Sequence, residues 1–283
     1  HQAEAYRRLR NTMRYLLGAL NGFEAGEKLP VDQLPALEKW VLHRLWQLDK
    51  VVRQSCNDFS FHRLFSEISH FCAIDLSAFY FDVRKDSLYC DDLANPTRRA
   101  TQTVMHEVFE CLTAWLAPIL CFTAEEAWQT YHPNSSSVHL RTFPIISDSW
   151  ENQDLADKFV KIRSVRRVVT GALEVARAEQ KIGSSLQAKP IIYVDKSLAK
   201  LLQLMDVADL MITSTAEVRS TPAPAHAFKS ADMPEVAVVV ELADGQKCDR
   251  CWKTLPEVGS FKAYPSLCER CHDVIQHAGH SHV

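Results

Sequence analysis

Glycine is scarce in this chain, with 8 in 283 residues, and neither sign of charge dominates, the net charge being −3. So little glycine excludes collagen-like and glycine-rich low-complexity architectures. No glycine-rich loop follows a strand pattern, so the phosphate cradle of a nucleotide-binding fold is missing. The longest uncharged stretch, residues 111–124, is interrupted by Pro118 and falls short of the roughly 20 apolar residues that cross a bilayer. The first residues are polar and arginine-rich, without the apolar core of a secretory signal. Position 1 is His rather than Met, and the chain is expected to be a piece of something longer. No internal repeat is visible. The near-neutral balance argues weakly against a nucleic-acid partner, although phosphate contacts are local and screened by salt, so distribution matters more than the sum.

What is present is ordinary globular material, 47% hydrophobic and 24% charged. That suits one to three domains with at least one sizeable core. Nine cysteines fall into two groups: Cys56, Cys72, Cys90, Cys111 and Cys121 are scattered, and four cluster near the end as two C-x-x-C pairs. A secreted disulfide scaffold is usually shorter and more evenly cross-linked. The pattern therefore reads as a protein of the reducing cytoplasm with free thiols in its body and a metal site at its end. A monomer without membrane attachment is expected.

Apolar periodicity predicts helices over residues 5–21 (Leu9, Met13, Leu16 and Leu20), 36–57 (Leu37, Val41, Leu45, Leu48 and Val52), 60–82 and 97–117 (Val104, Val108, Leu112 and Trp115). Pro118 should bend or end the last of these. Thr123, Glu125 and Glu126 fit a capping box that starts a short helix. The turn-rich run 132–137 follows. Residues 1–150 therefore read as a helical bundle. After about residue 150 the pattern changes. A long helix over 154–180 with Gly183 as its cap, a strand at 190–194, a helix at 197–205, a loop at 220–234 and a strand at 236–242 make a small α/β junction, 151–244. Residues 245–283 form a cysteine module with a disordered tail. The fold class is mainly α.

Cys248 and Cys251, then Cys268 and Cys271, have the two-knuckle spacing of a zinc site. Zinc takes four thiolates in a tetrahedron at about 2.3 Å, and each C-x-x-C turn brings two sulfurs to one side of the ion. Residues 252–267, with Gly259 and Pro265, can loop out and return the second pair. Redox pairs are the other reading of a C-x-x-C, but two of them at this spacing favour zinc. With all four positions taken by cysteine, one structural Zn2+ is expected and no open catalytic site. Arg250 and Trp252 flank the second ligand. A guanidinium suits phosphate and an indole suits base stacking, though Trp252 could instead be the lobe's main packing residue.

Three stretches carry a family resemblance. Arg7-Arg8-Leu9-Arg10-Asn11-Thr12 with Leu16-Leu17 resembles the opening helix of the anticodon-binding domain of bacterial isoleucyl-tRNA synthetases. Phe61-His62-Arg63, Phe71-Cys72-Ala73-Ile74-Asp75-Leu76-Ser77-Ala78-Phe79-Tyr80 and Lys85-Asp86-Ser87-Leu88-Tyr89-Cys90 are similar to that family's central run. Leu116-Ala117-Pro118-Ile119-Leu120 with Phe122-Thr123-Ala124-Glu125-Glu126-Ala127-Trp128 also resembles the valine, leucine and methionine enzymes. The ending, Cys248-Asp249-Arg250-Cys251-Trp252 with Leu267-Cys268-Glu269-Arg270-Cys271, points to isoleucine. The resemblance implies a class I ligase whose full length joins isoleucine to tRNA-Ile using ATP in a separate catalytic domain. Its signatures His-Ile-Gly-His and Lys-Met-Ser-Lys-Ser do not occur here, and Lys181-Ile182-Gly183-Ser184-Ser185 is no substitute. This piece alone is expected to bind RNA and catalyse nothing. The resemblance also places an anticodon stem-loop between the bundle and the zinc lobe, against the arginine face of the first helix and the zinc knuckle.

The candidate RNA contacts are Arg7, Arg10 and Asn11, with Arg14 weaker, then Arg163, Arg166, Arg167, Arg250 and Trp252. Arg163, Arg166 and Arg167, with Lys158 and Lys161 nearby, make the densest basic run and could track a phosphate backbone; a solvated, salt-bridged helix face is the plain alternative. Lys181 and Lys189 are weaker candidates. His62 reads as a helix residue satisfied by packing or hydrogen bonds. Cys72, Cys111 and Cys121 read as buried thiols, and Phe71, Phe79 and Trp115 as core. His277, His280 and His282 belong to the polar tail. Two other functions compete: a DNA-binding protein of the formamidopyrimidine-glycosylase type, whose C-terminal finger has similar spacing, and a zinc-stabilised scaffold.

Overall fold

The computed structural model describes the backbone of residues 2–280 and the side chains of residues 3–276. By its internal packing the chain divides into two units. One comprises the residues up to Asp82 together with Leu93–Gln153, and the other Val83–Asp92 with everything from Asp154 onward.

The first unit is the helical bundle. Helix α1 (Gln2–Ala19) buries Leu9, Met13 and Leu16, spaced three and four apart, with Leu20 just beyond its end. The chain reverses at Gly22, whose φ of 75° a side-chain-bearing residue rarely adopts. Helix α2 (Ala36–Asn57) starts behind Pro35 and buries the expected stripe Leu37, Val41, Leu45, Leu48 and Val52. The stretch expected as one helix over 60–82 runs further and is wound differently. Helix α3 (Phe61–His70) passes into a π-wound segment (Phe71–Tyr80) and then into α4 (Phe81–Cys90). The buried residues of the wide segment come as pairs, Phe71 and Cys72, Asp75 and Leu76, Phe79 and Tyr80. The buried Asp75 carboxylate accepts from Arg44 Nε at 3.0 Å.

Helix α5 (Pro96–Leu116) is the central element. The Asn95 side chain accepts from the Thr97 and Arg98 N–H groups, and Pro96 occupies the first turn. Val104, Val108, Phe109, Leu112 and Trp115 are almost wholly buried. Helix α6 (Cys121–Tyr131) corrects the capping-box expectation. It begins two residues before Thr123, behind Leu120, without a side-chain cap. Glu125 instead accepts from Ser137 Oγ and the Val138 N–H, pinning the turn-rich loop, while Glu126 pairs with Arg10.

The second unit is organised by α7 (Gln153–Ala178), which buries Leu155, Phe159, Ile162, Val165, Val169 and Leu173. Its left-handed cap is Gln180, with φ 58°, and not Gly183. The Lys181 N–H reaches back to Ala176 O at 2.9 Å, which satisfies an orphan carbonyl. A four-stranded sheet follows in the order β2-β1-β4-β3, from β1 (Ala188–Tyr193), β2 (Glu217–Arg219), β3 (Phe228–Ser230) and β4 (Met233–Leu242). β1 runs parallel to β2 and antiparallel to β4, with Ala188 opposite Leu242 and Tyr193 opposite Ala237. β3 lies inside the stretch expected to be loop. Its anchor is Phe228, whose ring sits so close to Gly171 of α7 that a Cβ there would meet it at 3.2 Å. Helices α8 (Lys196–Leu202) and α9 (Val207–Met211) are each capped by an aspartate, Asp195 and Asp206. The cysteine module adds β5 (Gln246–Lys247), β6 (Thr254–Leu255) and α10 (Glu269–His280). That helix occupies positions where a disordered tail was expected. The side chains of His277 and His280, and all of His282, lie outside the described residues.

Candidate metal centre and nucleic-acid surface

The first knuckle is the tight end of the β5–β6 hairpin. Gly245 enters it with φ 103°, and a Cβ there would lie 2.1 Å from Leu255 O, so only glycine fits. The Cys248 N–H donates to Lys253 O, and the Trp252 N–H to Cys248 O, both at 2.9 Å. The second knuckle opens α10, with Cys268 just before it and Cys271 in its first turn. The Cys268 N–H donates to Cys248 Sγ at 3.4 Å, which joins the two knuckles.

All four sulfurs lie within 4.8 Å of one another, and Cys251 Sγ and Cys268 Sγ are 3.7 Å apart. A tetrahedron with Zn–S bonds of about 2.3 Å has edges of about 3.8 Å, so the cage has the dimensions of one zinc ion. The four cysteines are buried, and among the described residues of the module Val258, Leu255 and Leu267 are their apolar company. So thin a core cannot hold the lobe, and the donor set is that of a closed structural site. Cys248, Cys251, Cys268 and Cys271 are positioned to hold one structural Zn2+.

The two residues flanking Cys251 take different roles. Arg250 turns inward. Its Nη1 donates to Cys90 O at 2.5 Å and approaches Cys271 Sγ at 3.5 Å, and its Nη2 donates to Tyr89 O at 3.2 Å. Trp252 turns outward and is 61% exposed, so it is not the packing residue of the lobe. Its φ of 65° is a strained conformation for a bulky side chain. Strain of this kind costs on the order of 1–3 kcal/mol and persists where the surroundings impose it. The hydrogen-bonded, metal-bound turn does so here and holds the indole in solvent, with Lys247 Nζ 5.2 Å from the ring centroid.

Sequence reasoning did not find the groups that seat the module. Arg270, the residue before Cys271, makes a bidentate pair with Asp86 at 2.6 and 3.0 Å and also reaches Asp91 at 3.0 Å. Lys253 reaches Asp209 at 2.8 Å. Burial opposes the Asp86 charge, but Arg270 and then Lys253 hold its carboxyl below the usual range. These partners are far apart in sequence, and no local pattern announces them.

The basic helices show how the remaining candidates stand. On α1, Arg7, Arg10, Asn11 and Arg14 are all exposed. Arg7 is paired with Glu4 at 2.9 Å, and Arg10 with both carboxylate oxygens of Glu126, at 2.5 and 3.0 Å. On α7, Arg166 Nε donates to Leu210 O at 2.9 Å, Arg163 is half-buried and engaged, and Arg167 is exposed. Arg7, Arg10 and Asn11 belong to the first unit; Arg163, Arg166, Arg167, Arg250 and Trp252 belong to the second. Lys181 pairs with Glu179. His62 is exposed on α3 rather than packed, and Cys121 is exposed at the start of α6 rather than buried. Cys72 and Cys111 are buried as expected, and burial pushes the Cys72 thiol up to about 12, so it is inert. Phe71, Phe79 and Trp115 are core.

Comparison with known proteins adds the family. Residues 38–192 match the anticodon-binding domain of tRNA ligase. The chain belongs to the tRNA-ligase anticodon-binding family. The match crosses from the bundle into α7 and β1. Residues 245–274 match a zinc finger found in formamidopyrimidine glycosylases and isoleucyl-tRNA synthetases. That description alone leaves a DNA-repair protein open, and membership of the anticodon-binding family is what separates the two. Among its relatives are isoleucine–tRNA ligases of Mesorhizobium japonicum (46% identical over 94% of this chain and 27% of that protein), Agrobacterium fabrum (47%, over 94% and 28%) and Ruegeria pomeroyi (47%, over 95% and 28%). The chain thus spans just over a quarter of the length of the curated relatives it matches. Among the described residues no helix is long and apolar enough to cross a membrane.

Proposed function

We propose that this chain is the RNA-reading part of an isoleucine–tRNA ligase and binds the anticodon stem-loop of tRNA-Ile. The observation that carries the reading is the pairing, in one chain, of the anticodon-binding domain at 38–192 with the zinc finger at 245–274. In this reading the whole ligase attaches isoleucine to tRNA-Ile with ATP, and this part supplies affinity and identity rather than chemistry. It works as a monomer in the cytoplasm, where its cysteines, none of them disulfide-bonded among the described residues, stay reduced.

Unpaired loop bases can be splayed, stacked and read on their edges. Trp252 is the side chain best placed to stack: it is exposed, rigidly mounted and next to a cation. Arg167 is free to meet a phosphate, and Arg163 and Arg166 would do so at the edge of their present contacts. Arg7 and Arg10 reach RNA only by releasing Glu4 and Glu126, exchanges that exposed ion pairs make at little cost. Asn11 lies beside them for a base edge. Arg250 stands behind Trp252 in this account, because contact with RNA would break its bonds to Cys90 and Tyr89.

Equilibrium binding of the zinc-loaded chain to tRNA-Ile, tRNA-Val and a DNA duplex at one fixed salt concentration tests the reading. The expected order puts tRNA-Ile ahead of tRNA-Val by about tenfold, or about 1.4 kcal/mol, with the duplex weaker still. A preference for the duplex would favour the glycosylase-type alternative. Equal weak binding to all three would favour a scaffold.

A further inference from the structure

The two residues that follow Trp252 are both held from outside the cysteine module. Lys253 Nζ donates to Asp209 at 2.8 Å, and the Thr254 N–H donates to Ser214 Oγ at 2.6 Å. Ser214 is buried, and its own hydroxyl donates to Leu186 O at 2.5 Å, in the short turn before β1. A hydroxyl has one proton to give and lone pairs with which to accept. This single side chain therefore joins the β5–β6 hairpin to the start of the four-stranded sheet.

The turn that delivers Ser214 is strained. Helix α9 is capped by Ile212 with φ 57° and ψ 49°. A β-branched residue in the left-handed region is an outlier, and such strain persists where the surroundings over-determine it. They do so here. The Thr213 N–H returns to Ala208 O at 3.0 Å, and the Thr213 hydroxyl donates to Thr215 O at 3.0 Å. Arg166 Nε donates to Leu210 O at 2.9 Å, which ties the end of α9 to α7. Asp209 and Ser214 thus stand on either side of a fixed turn, and both bind the strand by which the chain leaves the first knuckle.

The metal and the bond from the Trp252 N–H to Cys248 O set the shape of that knuckle. Shape does not set the direction in which the indole leaves it. The clamp on Lys253 and Thr254 acts one and two residues from Trp252, where that direction is decided. We propose that Ser214 is a positioning residue for the RNA surface: its hydroxyl, supported by Asp209, fixes the strand after Trp252 and so aims the indole at a base. The inference rests on the reading of Trp252 as the stacking residue.

The test uses the zinc-loaded full chain with Ser214→Ala, and with Asp209→Asn to carry the test if the alanine variant fails to fold. Each is also combined with Trp252→Gly. Ser214→Ala should weaken binding of tRNA-Ile about fivefold, the size of one net hydrogen bond. It should weaken it no further once residue 252 is glycine, because effects that run through one group are not additive. An undiminished loss in the glycine background would overturn the proposal, since that is what a general structural defect produces. Parent-like affinity in both single variants would overturn it too. So would zinc transfer to a chelator about tenfold faster than in the parent, which would make Ser214 a support of the metal cage instead.

Fluorotryptophan labelling supplies a readout without RNA. The chain has six tryptophans, and the fluorine line missing from Trp252→Gly is that of residue 252. In Ser214→Ala that line should shift or broaden while the others stay in place. An unmoved line would overturn the proposal. A moved line, in a protein whose RNA affinity is indifferent to Trp252→Gly, would support the positioning of the indole and sink the stacking reading instead.

Discussion

Cys268→Ser is expected to unfold the cysteine module from about residue 245 onward and to leave the helical bundle standing. Cys268 is buried, lies 3.7 Å from Cys251 and donates its N–H to Cys248 Sγ, so it touches both halves of the cage. Among its described residues the module offers Val258, Leu255 and Leu267 as apolar packing around the sulfurs. Structural zinc contributes on the order of 10 kcal/mol or more in such lobes, far above what three side chains can replace. The bundle has its own core, centred on α5 with Trp115, Phe109 and Leu112 almost wholly buried, and does not need the metal. Zinc content should fall to zero, limited proteolysis should open the chain within 245–276, and most of the helical signal should remain. Collapse of the helical signal across the whole chain would show that the bundle does not fold by itself.

Trp252→Gly should separate the two tasks of the first knuckle. Glycine adopts positive φ without strain, so the turn that forces 65° on Trp252 should hold zinc at least as firmly after the change. What is lost is the exposed indole. Stacking of a base on an aromatic side chain is worth about 1–3 kcal/mol, so affinity for tRNA-Ile should fall by roughly 5- to 150-fold. Trp252→Phe should recover part of it. Unchanged affinity in the glycine variant would remove the indole from the RNA surface, and loss of zinc would return it to a packing role.

How far this site was legible beforehand depended on how local each signal is. The zinc ligands follow from spacing alone, because a C-x-x-C turn is a local geometry. Helix α2 has the bounds that its sequence suggests, since Pro35 marks its start and a single stripe runs its length. The outward setting of Trp252 was only one of two readings, because exposure is a property of the folded turn. Arg250 was read as an RNA contact on its residue type, and its bonds to Cys90 and Tyr89 depend on a helix far away in sequence. The π winding of Phe71–Tyr80 hides behind a continuous apolar run. β3 hides in a segment rich in proline and alanine, where Phe228 is the single strong anchor. The cap at Gln180 was missed because a nearby glycine looked better suited, yet one exposed residue can bear the left-handed cost of roughly 1–2 kcal/mol.

The most direct test is a footprint of tRNA-Ile bound to this chain, with and without a zinc chelator. If the metal-built knuckle presents Trp252 to the RNA, the anticodon loop should be protected from cleavage by the zinc-loaded protein, and that protection should fade when the metal is removed. Protection confined to the acceptor stem, or an anticodon footprint indifferent to zinc, would contradict it.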